Sequence, residues 1–189
     1  MNPSISSRRP NAATRRTQLL DAADAVFSTH GVHAPLELVV ERAGVGRATL
    51  YRQFPDRHAL LFALMERSID RLQEQACSVH GHPEGFFALL GYLADRVVHS
   101  PALADYWRSS AHQQDLRFAP LRVRAWEAFA PALAQAKAAG LVHADVQQAD
   151  LPLLSGMLGA ALRGATTAER ERLAQRALEL ITTGLRPRG

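Results

Sequence analysis

The 189-residue chain is poor in several features, and each shortage excludes a class of protein. A single cysteine, Cys77, excludes an internal disulfide framework and fits a reducing compartment. No apolar run approaches the ~20 residues that span a bilayer. The nearest, residues 151–162, contains Ser155 and lies between Asp150 and Arg163. The start of the chain is basic but has no apolar core, which argues against a secretory signal. Alternating apolar and polar positions never persist as a strand would require, and no segment repeats. These absences predict a soluble, cytoplasmic, all-α protein with no membrane partner and no cofactor.

What is present is a globular composition, 47% apolar and 21% charged, in a chain long enough for one ordinary domain or two small ones. All but one of the 22 basic residues are arginine, the side chain suited to bidentate contact with phosphate or guanine. The charge is unevenly placed: residues 1–57 hold eight arginines against five acids, and the first twenty residues hold four arginines and no acid. A basic tail ahead of a folded domain points to an acidic partner, nucleic acid first.

The helical segments follow from periodicity and punctuation. Leu19, Leu20, Ala23, Val26 and Phe27 recur at three- and four-residue spacing within a helix that begins near Thr14 and ends at Gly31. A short helix fits residues 36–43, with Pro35 near its first turn. Ala43-Gly44-Val45-Gly46 breaks it before a third helix that runs through Phe54, and Asp56 is placed to cap a long fourth helix reaching about Cys77. Further helices are expected near 84–99, 102–112, 117–139, 148–164 and 167–185, the last opened by a capping box at Thr166 and Glu169.

Three short helices with a glycine turn between the second and third describe a helix-turn-helix. Leu36, Val39, Val40 and Ala43 supply the inner face of the second helix, and Val45, Leu50 and Phe54 pin the third against it. Left facing outward are Arg47, Ala48, Thr49, Tyr51, Arg52 and Gln53, a surface of hydrogen-bond donors sized for a major groove.

The run from Leu19 to Gly31, followed by Ala43-Gly44-Val45-Gly46-Arg47-Ala48-Thr49-Leu50-Tyr51-Arg52-Gln53-Phe54-Pro55-Asp56-Arg57, resembles the DNA-binding domain of TetR-type transcriptional regulators. The resemblance covers residues 14 to about 65. It implies a two-domain helical protein of about nine helices, dimeric through its last two, that binds a near-palindromic operator and leaves it when a small molecule occupies the second domain. Most simply it is a repressor. The corresponding domains are a mobile basic arm at 1–13, the helix-turn-helix at 14–57, an effector-binding and dimerisation domain at 58–185, and a tail at 186–189. By position, Tyr51, Gln53 and Arg57 would meet phosphates, while Arg47, Ala48 and Thr49 would lie nearest base edges. Arg52 joins that face, and Arg8, Arg9, Arg15 and Arg16 are placed for backbone or minor-groove contacts. Two departures stand out: Ala34-Pro35 opens the second helix where the family usually has a hydroxyl residue, and Gln53 replaces a common aromatic.

In the second domain the phenylalanines at helical spacing read as core. Tyr92, Tyr106, Trp107 and Trp126 carry polar atoms and are the expected walls of a pocket, for an apolar or aromatic effector because charges are sparse there. Cys77, His80 and His82 have a spacing that could ligate zinc or copper and would make the regulator metal-responsive; the plainer reading is a solvated loop. An all-helical small-molecule enzyme is the other alternative. However, Ser109, Ser110 and His112 lack the strand and elbow of a nucleophile site, so no catalytic residue is expected. For the dimer, Gly156, Ala160 and Gly164 leave one helix face bare, and Leu173, Ala177, Leu178 and Ile181 form an apolar stripe on the last helix.

Overall fold

The computed structural model describes residues 12–112 and 116–187, the side chains of residues 110–112 excepted. Regular structure among them is helical throughout: α1 Ala12–His30, α2 Leu36–Ala43, α3 Arg47–Gln53, α4 Arg57–Ser78, α5 Gly85–His99, α6 Pro101–His112, α7 Ala119–Glu127, α8 Ala130–Ala138, α9 Leu151–Leu158 and α10 Thr167–Leu185. Short 3-10 segments lie at Leu116–Phe118, Gln148–Asp150 and Gly159–Arg163. The chain divides into two compact units, and the boundary between Ala63 and Leu64 falls inside α4. The expected arm is largely outside the described residues, Arg8 and Arg9 with it. Its last two residues, Ala12 and Ala13, are already helical.

The first unit is built on α1, whose buried side chains Leu19, Leu20, Ala23, Val26 and Phe27 form its core with Val39, Leu50, Phe54, Leu60 and Leu61. Each large apolar side chain withdrawn from water this way contributes about 1.5–3 kcal/mol before ordering costs. The α2–α3 turn depends on Gly44, which sits at φ +63° and donates its N–H to the Glu41 carbonyl. A side chain resists that left-handed conformation. At the start of α4, Asp56 accepts the Ala59 N–H at 2.7 Å, so the chain turns sharply out of α3 into a new helix.

In the second unit α5 is apolar on most faces, burying Phe86, Leu89, Leu90, Ala94, Val97 and Val98. It is covered by α10, α8 and the residues around α9. A Cβ on Gly91 of α5 would stand 3.8 Å from Leu178 of α10, which shows how closely those two helices approach. Phe86 and Phe129 meet edge to face with ring centroids 6.2 Å apart.

Two helices depart from the expected pattern. The segment 117–139 is two helices, α7 and α8, which makes ten α-helices among the described residues where about nine were expected. Pro131 in the first turn of α8 has no N–H to donate to the Glu127 carbonyl, so the ladder stops and restarts. The segment 148–164 is α-helical only from 151 to 158 and tightens into a 3-10 helix from Gly159. At three residues per turn, a four-residue repeat no longer keeps to one face.

Candidate functional site

Two candidate sites are present, one in each unit. In the first, α3 is anchored from below by Leu50 and Phe54, both buried. This turns Arg47, Ala48, Tyr51 and Arg52 outward, and Thr49 and Gln53 lie half-buried at the edges. Tyr51 is 49% exposed, a large aromatic surface to leave in water. Arg47 donates to the Glu37 carboxylate at 3.2 Å, with side-chain exposures of 68% and 50%. The pair is solvated, and an exposed pair of this kind contributes only ~0–1 kcal/mol.

The arginines expected beside this helix do different things. Arg15, with Gln18 and Thr49, lines a groove over the Ala43–Gly46 turn. Arg16 lies over the Phe54 ring, 4.7 Å from its centroid, a cation–π contact that ties α1 to the end of α3. Arg57 is turned inward: its Nη1 donates to the Val32 carbonyl at 2.6 Å and its guanidinium lies 5.8 Å from the Phe27 ring. That guanidinium holds the loop between α1 and α2, a role its position at a helix start does not reveal.

The second site is a cavity of about 380 Å³ in the second unit. Met65, Ile69 and Leu72 of α4 and Leu103 of α6 supply apolar wall. Trp107 and Trp126 join them as a T-shaped pair with centroids 6.3 Å apart. Tyr92 is in the lining as well, its phenol held above the ordinary pKa by burial, against a smaller opposing pull from Arg96 and Arg71. Tyr106 is not in the lining. It packs edge-on against Phe118 at 5.7 Å, because one residue before Trp107 on a helix points about 100° away. Sequence reasoning also missed three cationic lining residues, Arg96, Arg108 and Arg122, which are scattered singly over three helices. The small residues Ser155, Gly156 and Gly159 complete the lining, so Gly156 borders the cavity as well as the surface.

The remaining expected site residues are spread. Gly164 is buried, and a Cβ there would meet the backbone nitrogen of Arg170 at 2.7 Å. Its smallness serves the turn into α10. Ile181 is buried within its own unit, while Leu173, Ala177 and Leu178 are half-buried. Ala160 is exposed, as are Leu153 at 64% and Met157 at 44% on α9 and Leu180 at 55% on α10. Cys77, His80 and His82 do not assemble: no group of three or more His, Cys, Asp or Glu among the described residues could hold a metal ion. The turn that carries them closes on backbone bonds, His80 N–H to Cys77 and His82 N–H to Val79. The Ser109 hydroxyl is spent on the carbonyls of Asp105 and Tyr106. No helix is long and apolar enough to cross a membrane among the described residues.

Comparison with known proteins agrees with both units. Residues 19–64 match the family model for bacterial regulatory proteins of the tetR family. Residues 83–187 match the model for the C-terminal domain of SbtR-like transcriptional regulators. The HTH-type transcriptional regulator BetI of Serratia proteamaculans is 34% identical over 113 residues, 54% of this chain and 57% of BetI. The HTH-type transcriptional activator FasR of Mycolicibacterium smegmatis is 38% identical over 74 residues, 37% of this chain and 34% of FasR. The chain thus spans little more than half of the first relative and a third of the second. A solved TetR transcriptional regulator from Streptomyces coelicolor superposes with a TM-score of 0.69 at 29% identity, over 92% of this chain and 99% of that one. With a helix-turn-helix unit and a helical second unit that each match, the chain belongs to the TetR family of bacterial transcriptional regulators.

Proposed function

We propose that the chain is a ligand-responsive repressor, acting in the cytoplasm as a homodimer on a near-palindromic operator. The observation that carries this reading is the outward face of α3, where Arg47, Tyr51 and Arg52 stand exposed on a helix pinned by Leu50 and Phe54. Arg47, Ala48 and Thr49 read base edges; Tyr51, Arg52, Gln53 and Arg15 contact phosphates. Arg57 and Arg16 act on the fold of the reading head, through Val32 and Phe54.

The cavity of the second unit is the effector site, with Tyr92, Trp107 and Trp126 in its wall. Because α4 belongs to both units, a ligand pressing on Met65, Ile69 and Leu72 acts on the helix that Asp56 and Arg57 anchor at its other end. The dimer forms through α9 and α10, on the exposed Leu153, Met157, Ala160 and Leu180, with Leu173 and Ala177 at the edge. A dimer seated on DNA blocks whatever else needs that stretch, hence repression; FasR, a relative named as an activator, marks the opposite sign as the outcome to exclude.

The experiment is to titrate the purified protein against DNA fragments from its own genomic neighbourhood. A fragment should be bound tightly, with log affinity falling steeply as log salt rises. Deleting the gene should raise transcription from the promoter on that fragment. If no fragment is preferred over random DNA, the regulatory reading fails; if transcription falls on deletion, repression gives way to activation.

A further inference from the structure

We propose that the cavity takes an anionic amphipathic ligand, an apolar body that carries a carboxylate. The proposal rests on the reading of this cavity as the effector site. Its lining includes Arg96 from α5, Arg108 from α6 and Arg122 from α7, and no aspartate or glutamate is among the lining residues. Three helices therefore each bring one cation to walls that are otherwise apolar or hydroxylic. A guanidinium against apolar surface has lost part of its hydration, and a carboxylate in bidentate contact replaces it with charge-assisted hydrogen bonds.

The three arginines are not equivalent. Arg108 is exposed and donates to Asp105 at 2.6 Å, so its charge is already answered at the rim. Arg96 is half-buried, and its Nη2 donates to the hydroxyl of buried Ser100. A neutral hydroxyl orients that guanidinium without cancelling its charge. The Tyr92 phenol shares the lining and, like any phenol near neutral pH, keeps its proton, so it has an O–H to donate to the same anion. Arg96, Arg122 and Tyr92 are thus polar members of a lining whose apolar members include the tryptophan pair, Ile69 and Leu72.

The test uses two apolar bodies, naphthyl and decyl, each as the carboxylate, the primary amide and the amine, titrated calorimetrically into full-length protein at fixed ionic strength. For at least one body the carboxylate should bind about tenfold or more tighter than its amide, with the amine weakest. Arg96→Gln and Arg122→Gln should erase that preference and leave amide affinity within about twofold. Should a variant lose amide binding too, the six compounds on the unaltered protein decide alone.

A carboxylate advantage below tenfold for both bodies, or a preference for the amine, overturns the proposal. An amide that binds better and also releases operator DNA overturns the anion and leaves the effector site standing. A carboxylate that binds as expected but never alters operator affinity does the reverse. If none of the six binds at ~1 mM, both readings fall.

Discussion

The guanidinium of Arg47 lies 3.2 Å from the carboxylate of Glu37, so the first turn of α3 is tied to the first turn of α2 before any DNA arrives. On the proposed base-reading role of Arg47, operator binding exchanges that carboxylate for a base edge. Arg47→Ala is expected to cost ~1–3 kcal/mol of operator affinity and to relax preference at one position of each half-site. Glu37→Gln removes the competitor and a negative charge beside the DNA, so it should tighten binding to all sequences, most at low salt. Titrations against single-base operator variants at several salt concentrations check both. An Arg47→Ala protein with unchanged operator choice sinks the base-reading assignment.

The turn at Gly44 can be tested apart from DNA. A Cβ there meets no atom within 4 Å, so Gly44→Ala is sterically free in its surroundings and strained only in its own backbone at φ +63°. The expected loss is ~1–2 kcal/mol in urea unfolding, smaller for Gly44→Asn, which tolerates the left-handed region better. Equal losses for both substitutions would locate the cost elsewhere.

Tyr92 gives a pH dependence with a fixed sign. Burial raises its pKa in the folded state, so the folded chain resists tyrosinate formation more than the unfolded chain does. That stability is fully present below the unfolded phenol pKa of ~10 and is lost as pH rises through the folded value. Tyr92→Phe should therefore unfold less readily than the parent when both are taken alkaline, with the difference vanishing near neutrality. Denaturation midpoints at pH 7 and above 10 measure it; a difference that does not grow with pH contradicts the buried-phenol account.

The proposed dimer surface is open to charge insertion. Met157→Glu or Ala160→Arg places a charge on an exposed, locally apolar face without disturbing a buried side chain. Sedimentation should show monomers with helical content intact, and tight operator binding should be lost, because one reading head covers half a site. A variant that stays dimeric would move the interface off α9.

Sequence reasoning reached far where single residues punctuate the chain. The limits of α2 fall at Leu36 and Ala43 as expected, Gly44 turns where it should, Asp56 caps α4, and Thr166 with Glu169 caps α10. Each of these is a local rule about one backbone position. It reached less far where an outcome depends on what lies across the fold. Pro131 interrupts a segment whose apolar pattern runs on unbroken, and the 3-10 turn after Gly159 rotates Gly164 away from Gly156. Tyr106 differs from Trp107 by one step around α6, a difference that composition cannot register. The three cavity arginines are the sharpest case: each is an ordinary surface-type residue in its own helix, and only the packing of α5, α6 and α7 brings them to one cavity.

Two glycines, Gly156 and Gly159, lie in the lining of that cavity. A Cβ on Gly156 would touch no atom within 4 Å, and one on Gly159 would meet only the Arg108 side chain at 3.9 Å. A methyl group at either of these lining positions would be taken up without a clash. On the effector reading proposed above, substitutions there would retune which molecule fits, one at a time, without touching α3. On that same reading, the two glycines are where a change of signal would leave the choice of genes intact.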